Sequence, residues 1–210
     1  MGTTRHLGHP HRATSGPALA GAPTDGERLN PRQGLAPVAW QELGRRTVYE
    51  RFGRAVVEVD FRLPSGREDT FTLRAERDNV GVLALTPAQE VILTRQFRPG
   101  PGRFVYELAG GYLKDGESPA VAAERELLEE TGFAGVMEIV GQCYGDSYAT
   151  ARKYCGVARD CIVARAPRPD PEEFIEVLVV SPTAFRRLLR TGDFVDVDIG
   201  YLGLDALAML

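Results

Sequence analysis

The stretch "GGYLKDGESPAVAAERELLEETGF", residues 110 to 133, constrains this chain more than any other. Five glutamates fall between Glu117 and Glu130, four of them within seven positions, directly after a glycine-bearing loop. Like charges one turn apart on a helix repel, and a solvated face is the ordinary fate of such a run. At roughly 100° per residue, Ala120, Val121, Ala123, Leu127 and Leu128 share one broad arc. Glu126, Glu129 and Glu130 fall on the opposite arc, related as i, i+3 and i+4, so their carboxylates converge on adjacent turns. Such convergence costs repulsion unless a cation offsets it, and oxygen-only donors select a hard cation, Mg2+ or Mn2+. Gly110 and Gly111 permit tight turns that expose backbone carbonyls beside that cation. Arg125 lies on a neighbouring arc, one turn from Glu129, where it can pair with a carboxylate and hold its rotamer. Glu117 is either a ligand or the partner of Arg125, the second reading being favoured. Glu124 falls on the apolar arc and is expected in a local ion pair.

The rest of the chain narrows the chemistry by what it lacks. Its three histidines, His6, His9 and His11, all lie in residues 1–37, a stretch expected as a disordered tail from its Gly, Pro, Ser and Thr content. No histidine remains for Ser-His-Asp, Cys-His or most zinc chemistry. Catalysis therefore falls to carboxylates, Arg, Lys, Tyr or backbone. Cys143, Cys155 and Cys161 are odd in number and irregularly spaced, and are read as buried thiols. A net charge of −4 gives no broad basic footprint for nucleic acid. No apolar run is long enough to span a bilayer, and the first residues carry no apolar core of signal-peptide type. A cytoplasmic protein without nucleic-acid or membrane partners is expected.

Ordered structure is expected from Val38. Val56, Val57, Val59 and Phe61 alternate imperfectly, "PSGRED" reads as a turn, and Phe71 and Leu73 alternate after it, giving a small antiparallel sheet over residues 38–76. In residues 77–210, "VGVLALTPAQEVILTRQF" reads as strand, turn, strand, and "RFVYELAGG" as one short strand. Residues 118 to 131 are helical, and "VMEIVGQCYG", "KYCGVARDCIVARA" and "FIEVLVVS" are strands. "SPTAFRRLLRTG" predicts a helix capped by Ser181, with Pro182 at its first position and Gly192 at its close. The terminal "IGYLGLDALAML" predicts a second packed helix. Strands and helices mix without regular alternation, which points to an α+β chain or an α/β/α sandwich around a mixed sheet.

Gly111, Glu117, Arg125-Glu126-Leu127, Glu129-Glu130, Gly132 and Phe133 together match all nine defined positions, over 23 residues, of the Nudix box. The chain thus resembles the Nudix hydrolases. The resemblance implies a loop-helix-loop that binds a divalent metal, Mg2+ with Mn2+ as the alternative. It would hold the diphosphate of a nucleoside diphosphate linked to a moiety X and hydrolyse it to two monophosphates. It places Glu126, Glu129, Glu130 and the Gly110 carbonyl on the metal, with Arg125 orienting a carboxylate.

Outside the box, "RRTVYERF", "QFRPGPGRFVYELAGG" and "EEFIEVLVVS" are similar to the ADP-ribose pyrophosphatase-type branch. That similarity implies a homodimer helped by the small N-terminal sheet, to which Trp40, Tyr49 and Phe52 contribute, with one ring, such as Trp40, on the base. It implies Arg98 and Arg103 on the diphosphate, and a general base from the loop "RPDPEEFIEV", Glu172 or Glu173, with Glu126 the rival. Glu107 stands for the glutamate of the branch's Glu-Leu-Pro-Ala-Gly, whose proline and alanine are here Ala109 and Gly110. The chain departs from the branch after the box. "YGDSYATARKYC" lacks a Ser-Pro-Gly segment and has Ala151 near an expected acidic place. This leaves X between ADP-ribose and a nucleotide sugar, with Tyr148 and Arg152 available for its pocket and Lys153 read as an ordinary strand residue. A catalytically idle fold that binds a nucleotide as a sensor is the alternative, which the intact box disfavours.

Overall fold

Val57 and Val59 point the same way along one strand, and both are buried. They anchor the first of two sheets in this computed structural model, which describes residues 38–51 and 53–210. The expected tail, residues 1–37, and Phe52 lie outside the described residues. β1 (Gln41–Arg51), β2 (Arg54–Arg62) and β3 (Glu68–Arg74) pair in that order, all antiparallel. The β2–β3 turn closes at Gly66, whose φ of +85° suits glycine. Trp40 packs on Phe71 and Phe61 at ring-centroid distances of 5.0 and 5.9 Å.

The second sheet is mixed. It comprises β4 (Asn79–Leu85), β5 (Val91–Arg98), β6 (Arg103–Glu107), β7 (Ala109–Tyr112), β8 (Phe133–Tyr144), β9 (Arg152–Val163) and β10 (Glu176–Val180). Its order is β10-β5-β4-β9-β8, with β6 paired to β5 and β7 to β4. β4 and β9 run parallel, and such a pair needs a long crossover. That crossover carries α1 (Pro119–Thr131), while α2 (Pro182–Leu188) and α3 (Val197–Ala206) follow β10. Side-chain alternation along β4 divides the core. Val80, Val82 and Ala84 pack with Ala122, Ala123 and Leu127 of α1. Leu83 and Leu85 pack with Phe185 of α2 and with Ile199 and Leu204 of α3. The result is the α/β/α sandwich around a mixed sheet predicted from the sequence.

A bulge on β9 alters that alternation. Gly135 alone opposes both Asp160 and Cys161, and Asp160 takes a φ of +55°. The extra residue turns Cys161, rather than Asp160, onto the α1 face beside Ala158. Cys155 and Cys161 are buried, Cys143 is half-buried, and all three are unpaired.

Three elements differ from the sequence reading. "RFVYELAGG" is two strands, because the chain leaves β5 at Glu107 and joins β4 at Ala109. α2 stops at Leu188, where Arg190 and Thr191 bond back to Arg187 and Leu188 in a tight turn before Gly192. α3 starts at Val197, before the expected Ile199, and ends at Ala206. Among the described residues no helix is long and apolar enough to cross a membrane.

Candidate active site

The site is built where β7 runs under α1. Gly110 lies opposite Gly81 on β4, and a Cβ on Gly110 would sit 2.2 Å from the Val80 carbonyl oxygen. On Gly111 a Cβ would sit 2.3 Å from Glu126 Oε1. The missing side chains let a helix carboxylate lie directly on the strand backbone. α1 is fixed at both ends. Ser118 Oγ accepts from Val121 N–H, and Pro119 opens the first turn. Gly132 closes the helix in the left-handed region, with its N–H on the Leu128 carbonyl.

This seating changes the helix face expected from the sequence. Val121, assigned to the apolar arc, is 53% exposed, whereas Glu130 is only 4% exposed. Ala122, Glu126 and Glu130 form the stripe nearest the two glycines, not an outward one. The Gly110 N–H donates to Glu130 Oε2 at 3.0 Å. Burial pushes the Glu130 carboxyl up to about 9; the Gly110 bond opposes this, and the charges of Glu126, Glu173 and Glu107 add to it. Glu126 is also raised, first by burial, with Arg125 opposing and Glu129 and Glu173 adding. Glu129 is the more open member, 37% exposed.

Arg125 is the hub of the cluster. Its Nε and Nη2 grip Glu117 at 2.8 and 2.9 Å, Nη1 reaches Glu126 at 2.7 Å and Glu129 at 3.3 Å, and Nη2 also donates to the Tyr112 carbonyl. Those carboxylates hold its guanidinium well above the usual arginine value, Glu117 foremost, against the cost of burial. Arg125 in return draws Glu117 down to about 2. Glu117 Oε2 also accepts from Lys114 N–H, tying the loop to the helix. Glu117 is therefore the partner of Arg125, as the sequence favoured. Glu124 is exposed and makes no salt bridge among the described residues, so its expected ion pair is absent.

The remaining sequence candidates are dispersed around this cluster. Arg98 forks onto Glu107, Nε to Oε1 and Nη2 to Oε2, both at 2.6 Å, and Gln96 completes the carboxylate at 3.0 Å. Arg103 is more exposed, bonded to the Gly192 carbonyl and to Asp193. Tyr148 sits in the β8–β9 loop with an exposed ring, its carbonyl accepting from Arg74 N–H. The Arg152 guanidinium stacks over Tyr144 at 5.3 Å. Lys153 is a strand residue of β9, and its ammonium is held between Asp196 and Asp198. Trp40 has its ring contacts on the three-stranded sheet.

Between the two loop acids, Glu172 is exposed while Glu173 is half-buried and acts electrostatically on both Glu126 and Glu130. The sequence reading missed Asp196, which accepts from Leu108 N–H across 88 positions. No local spacing signals such a contact.

As the side chains lie, Arg125 takes up part of the charge of Glu126 and Glu129, and no three His, Cys, Asp or Glu groups among the described residues are gathered in metal-binding geometry. The donor set nevertheless fits a hard divalent ion. It offers only oxygens, and burial with mutual repulsion disfavours the ionised forms of Glu126 and Glu130, which a bound cation would restore.

Comparison with known proteins agrees with this geometry. The NUDIX domain family is matched by residues 75–197. An ADP-ribose pyrophosphatase of Bacillus subtilis (strain 168) is 29% identical over 145 residues, 68% of this chain and 78% of that protein. An ADP-sugar pyrophosphatase of Mus musculus is 56% identical over 45 residues, 21% of each chain. The crystal structure of an ADP compounds hydrolase superposes with a TM-score of 0.71 at 22% identity, covering 84% of this chain and all of that one, a likeness of fold. With more than half its length matched and its box seated on the β7 glycines, the chain belongs to the Nudix family, as a hydrolase related to the ADP-ribose pyrophosphatases.

Proposed function

We propose that this chain hydrolyses the diphosphate of an ADP-ribose-type or nucleotide-sugar substrate to two monophosphates, in a reaction dependent on Mg2+ or Mn2+. The seating of Glu126 and Glu130 against Gly110 and Gly111 carries the reading, because it gathers hard oxygen donors beside exposed backbone. Glu126, Glu129, Glu130 and the Gly110 carbonyl would hold the ion. When bound, the ion offsets diphosphate charge and lowers the pKa of the attacking water. Arg125 orients Glu126 and Glu129 through its two-sided pairing.

Glu173 is the general base. Its half-buried carboxylate lies within the electrostatic reach of both metal-side glutamates, and its loop can close over substrate. Glu126 is the rival. Arg98 and Arg103 border the diphosphate, Arg98 already fixed by Glu107, and Tyr148 with Arg152 line the side for X. Trp40 does not enter this reading, because its ring is packed on Phe61 and Phe71. Residues 38–76 act as a dimerisation subdomain, supported by Leu43, Val48 and Tyr49 exposed along β1. A cytoplasmic location belongs to the same reading, supported by three unpaired cysteines.

A panel of ADP-ribose, nucleotide sugars and dinucleoside diphosphates, assayed with Mg2+ or Mn2+ and coupled to phosphatase, tests it. Turnover that EDTA abolishes and added Mg2+ or Mn2+ restores is expected. Tight binding of a panel member without product over hours would instead make the chain a sensor.

A further inference from the structure

At Leu108 the strand changes neighbours. β6 pairs with β5 through Glu107 and β7 pairs with β4 from Ala109, so the Leu108 N–H falls between two ladders. The chain after α2 runs alongside. Tyr106 N–H donates to Asp193 O at 2.8 Å and Val195 N–H to Tyr106 O at 3.0 Å. The Asp196 side chain then extends the series, its Oδ2 accepting from Leu108 N–H at 3.0 Å. An aspartate at a helix N-cap ordinarily accepts from the first turn of its own helix. Asp196 is the N-cap of α3 and makes no such bond.

Its other oxygen, Oδ1, meets Lys153 Nζ at 3.0 Å, and Lys153 also meets Asp198 Oδ1 at 2.8 Å. Asp198 Oδ1 accepts from Ile199 N–H, and its Oδ2 accepts from the Cys143 thiol at 3.3 Å. Lys153 and Asp196 are both largely buried. Burial pulls the Lys153 ammonium down, and the two aspartates more than reverse it. A desolvated ion pair is a poor source of stability. Its place, two residues before Gly110, points to geometry instead.

We propose that Asp196, steadied by Lys153, is a positioning residue for the active site. It fixes the strand switch at Leu108, and thereby the Gly110 backbone on which Glu130 is seated. The contacts run from Lys153 to Asp196, to the Leu108 N–H, along two residues of strand to the Gly110 N–H, and to Glu130 Oε2. The consequence for metal binding rests on the proposed role of Glu130.

The test compares Asp196→Ala, Asp196→Asn and Lys153→Met in the full chain. Amide hydrogen exchange at Leu108 and Gly110 is followed, along with Mn2+ affinity from the spin resonance signal of the free ion. Asp196→Ala should speed exchange at both amides and weaken Mn2+ binding roughly 10–100-fold, the range for residues that orient a ligand. It should lower kcat more than it raises KM. Asp196→Asn keeps an oxygen for Leu108 N–H and should recover most of the loss, and Lys153→Met should fall between. Faster exchange at Leu108 with Gly110 unchanged would overturn the proposal. If the unaltered protein binds no Mn2+, the metal reading fails, while Gly110 exchange still decides the positioning claim. Should Asp196→Ala not fold, unchanged Gly110 exchange in Lys153→Met overturns it and faster exchange supports it.

Discussion

Protonating Glu117 removes the charge that holds Arg125 Nε and Nη2. The folded protein holds this carboxyl at about 2, below its ordinary value of 4.5, so the folded state favours the ionised form. Stability from the pair is therefore fully present above about pH 4.5 and is lost as pH falls through about 2. Glu117→Gln should cost about 1–3 kcal/mol at neutral pH, the range for leaving a charged partner unsatisfied. In thermal melts the gap to the unaltered protein should close as pH approaches 2; a gap constant with pH would mean that the pair is not its source. The two loop acids separate at the same scale. Glu173→Gln should slow turnover by about 10²–10⁴-fold with substrate still bound, while Glu172→Gln stays within a few fold. If neither change slows turnover more than a few fold, the base moves to Glu126.

At the scale of elements, the proposed catalysis depends on how closely α1 lies on β7. Gly111→Ala would drive a methyl against Glu126 Oε1 and displace that carboxylate. A misplacement of about 1 Å can cost roughly 10²-fold in rate, so kcat should fall by about that factor with little loss of melting temperature. Gly44→Ala is the control, because a Cβ there meets nothing within 4 Å. If Gly111→Ala retains full activity, the close seating of Glu126 is not required. α1 itself was legible from the spacing that separates Ala120, Val121, Ala123, Leu127 and Leu128 from Glu126, Glu129 and Glu130, because helical periodicity is local. Its buried stripe was not. Periodicity orders residues around an axis but does not say which arc meets the sheet, and here two glycines admit a carboxylate where a core helix usually presents apolar side chains.

For the whole molecule, the proposed assembly rests on the three-stranded sheet. β1 is an edge strand with Leu43, Val48 and Tyr49 exposed, a surface that ordinarily calls for cover. A symmetric dimer of 23.0 kDa chains is expected by sedimentation at micromolar concentration, and Tyr49→Asp should shift it toward monomer. A monomer from the unaltered chain would end that reading.

What the sequence by itself determined is what depends on near neighbours. The glutamate spacing, the placing of Arg125 one turn from Glu129 and the family signature all lie within 23 residues. The tertiary structure alone decided the burial of Glu130 on Gly110, the division of "RFVYELAGG" at Leu108, and the reach of Asp196 across 88 positions. Each depends on which strand edge meets which backbone group, and chain order does not encode that distance.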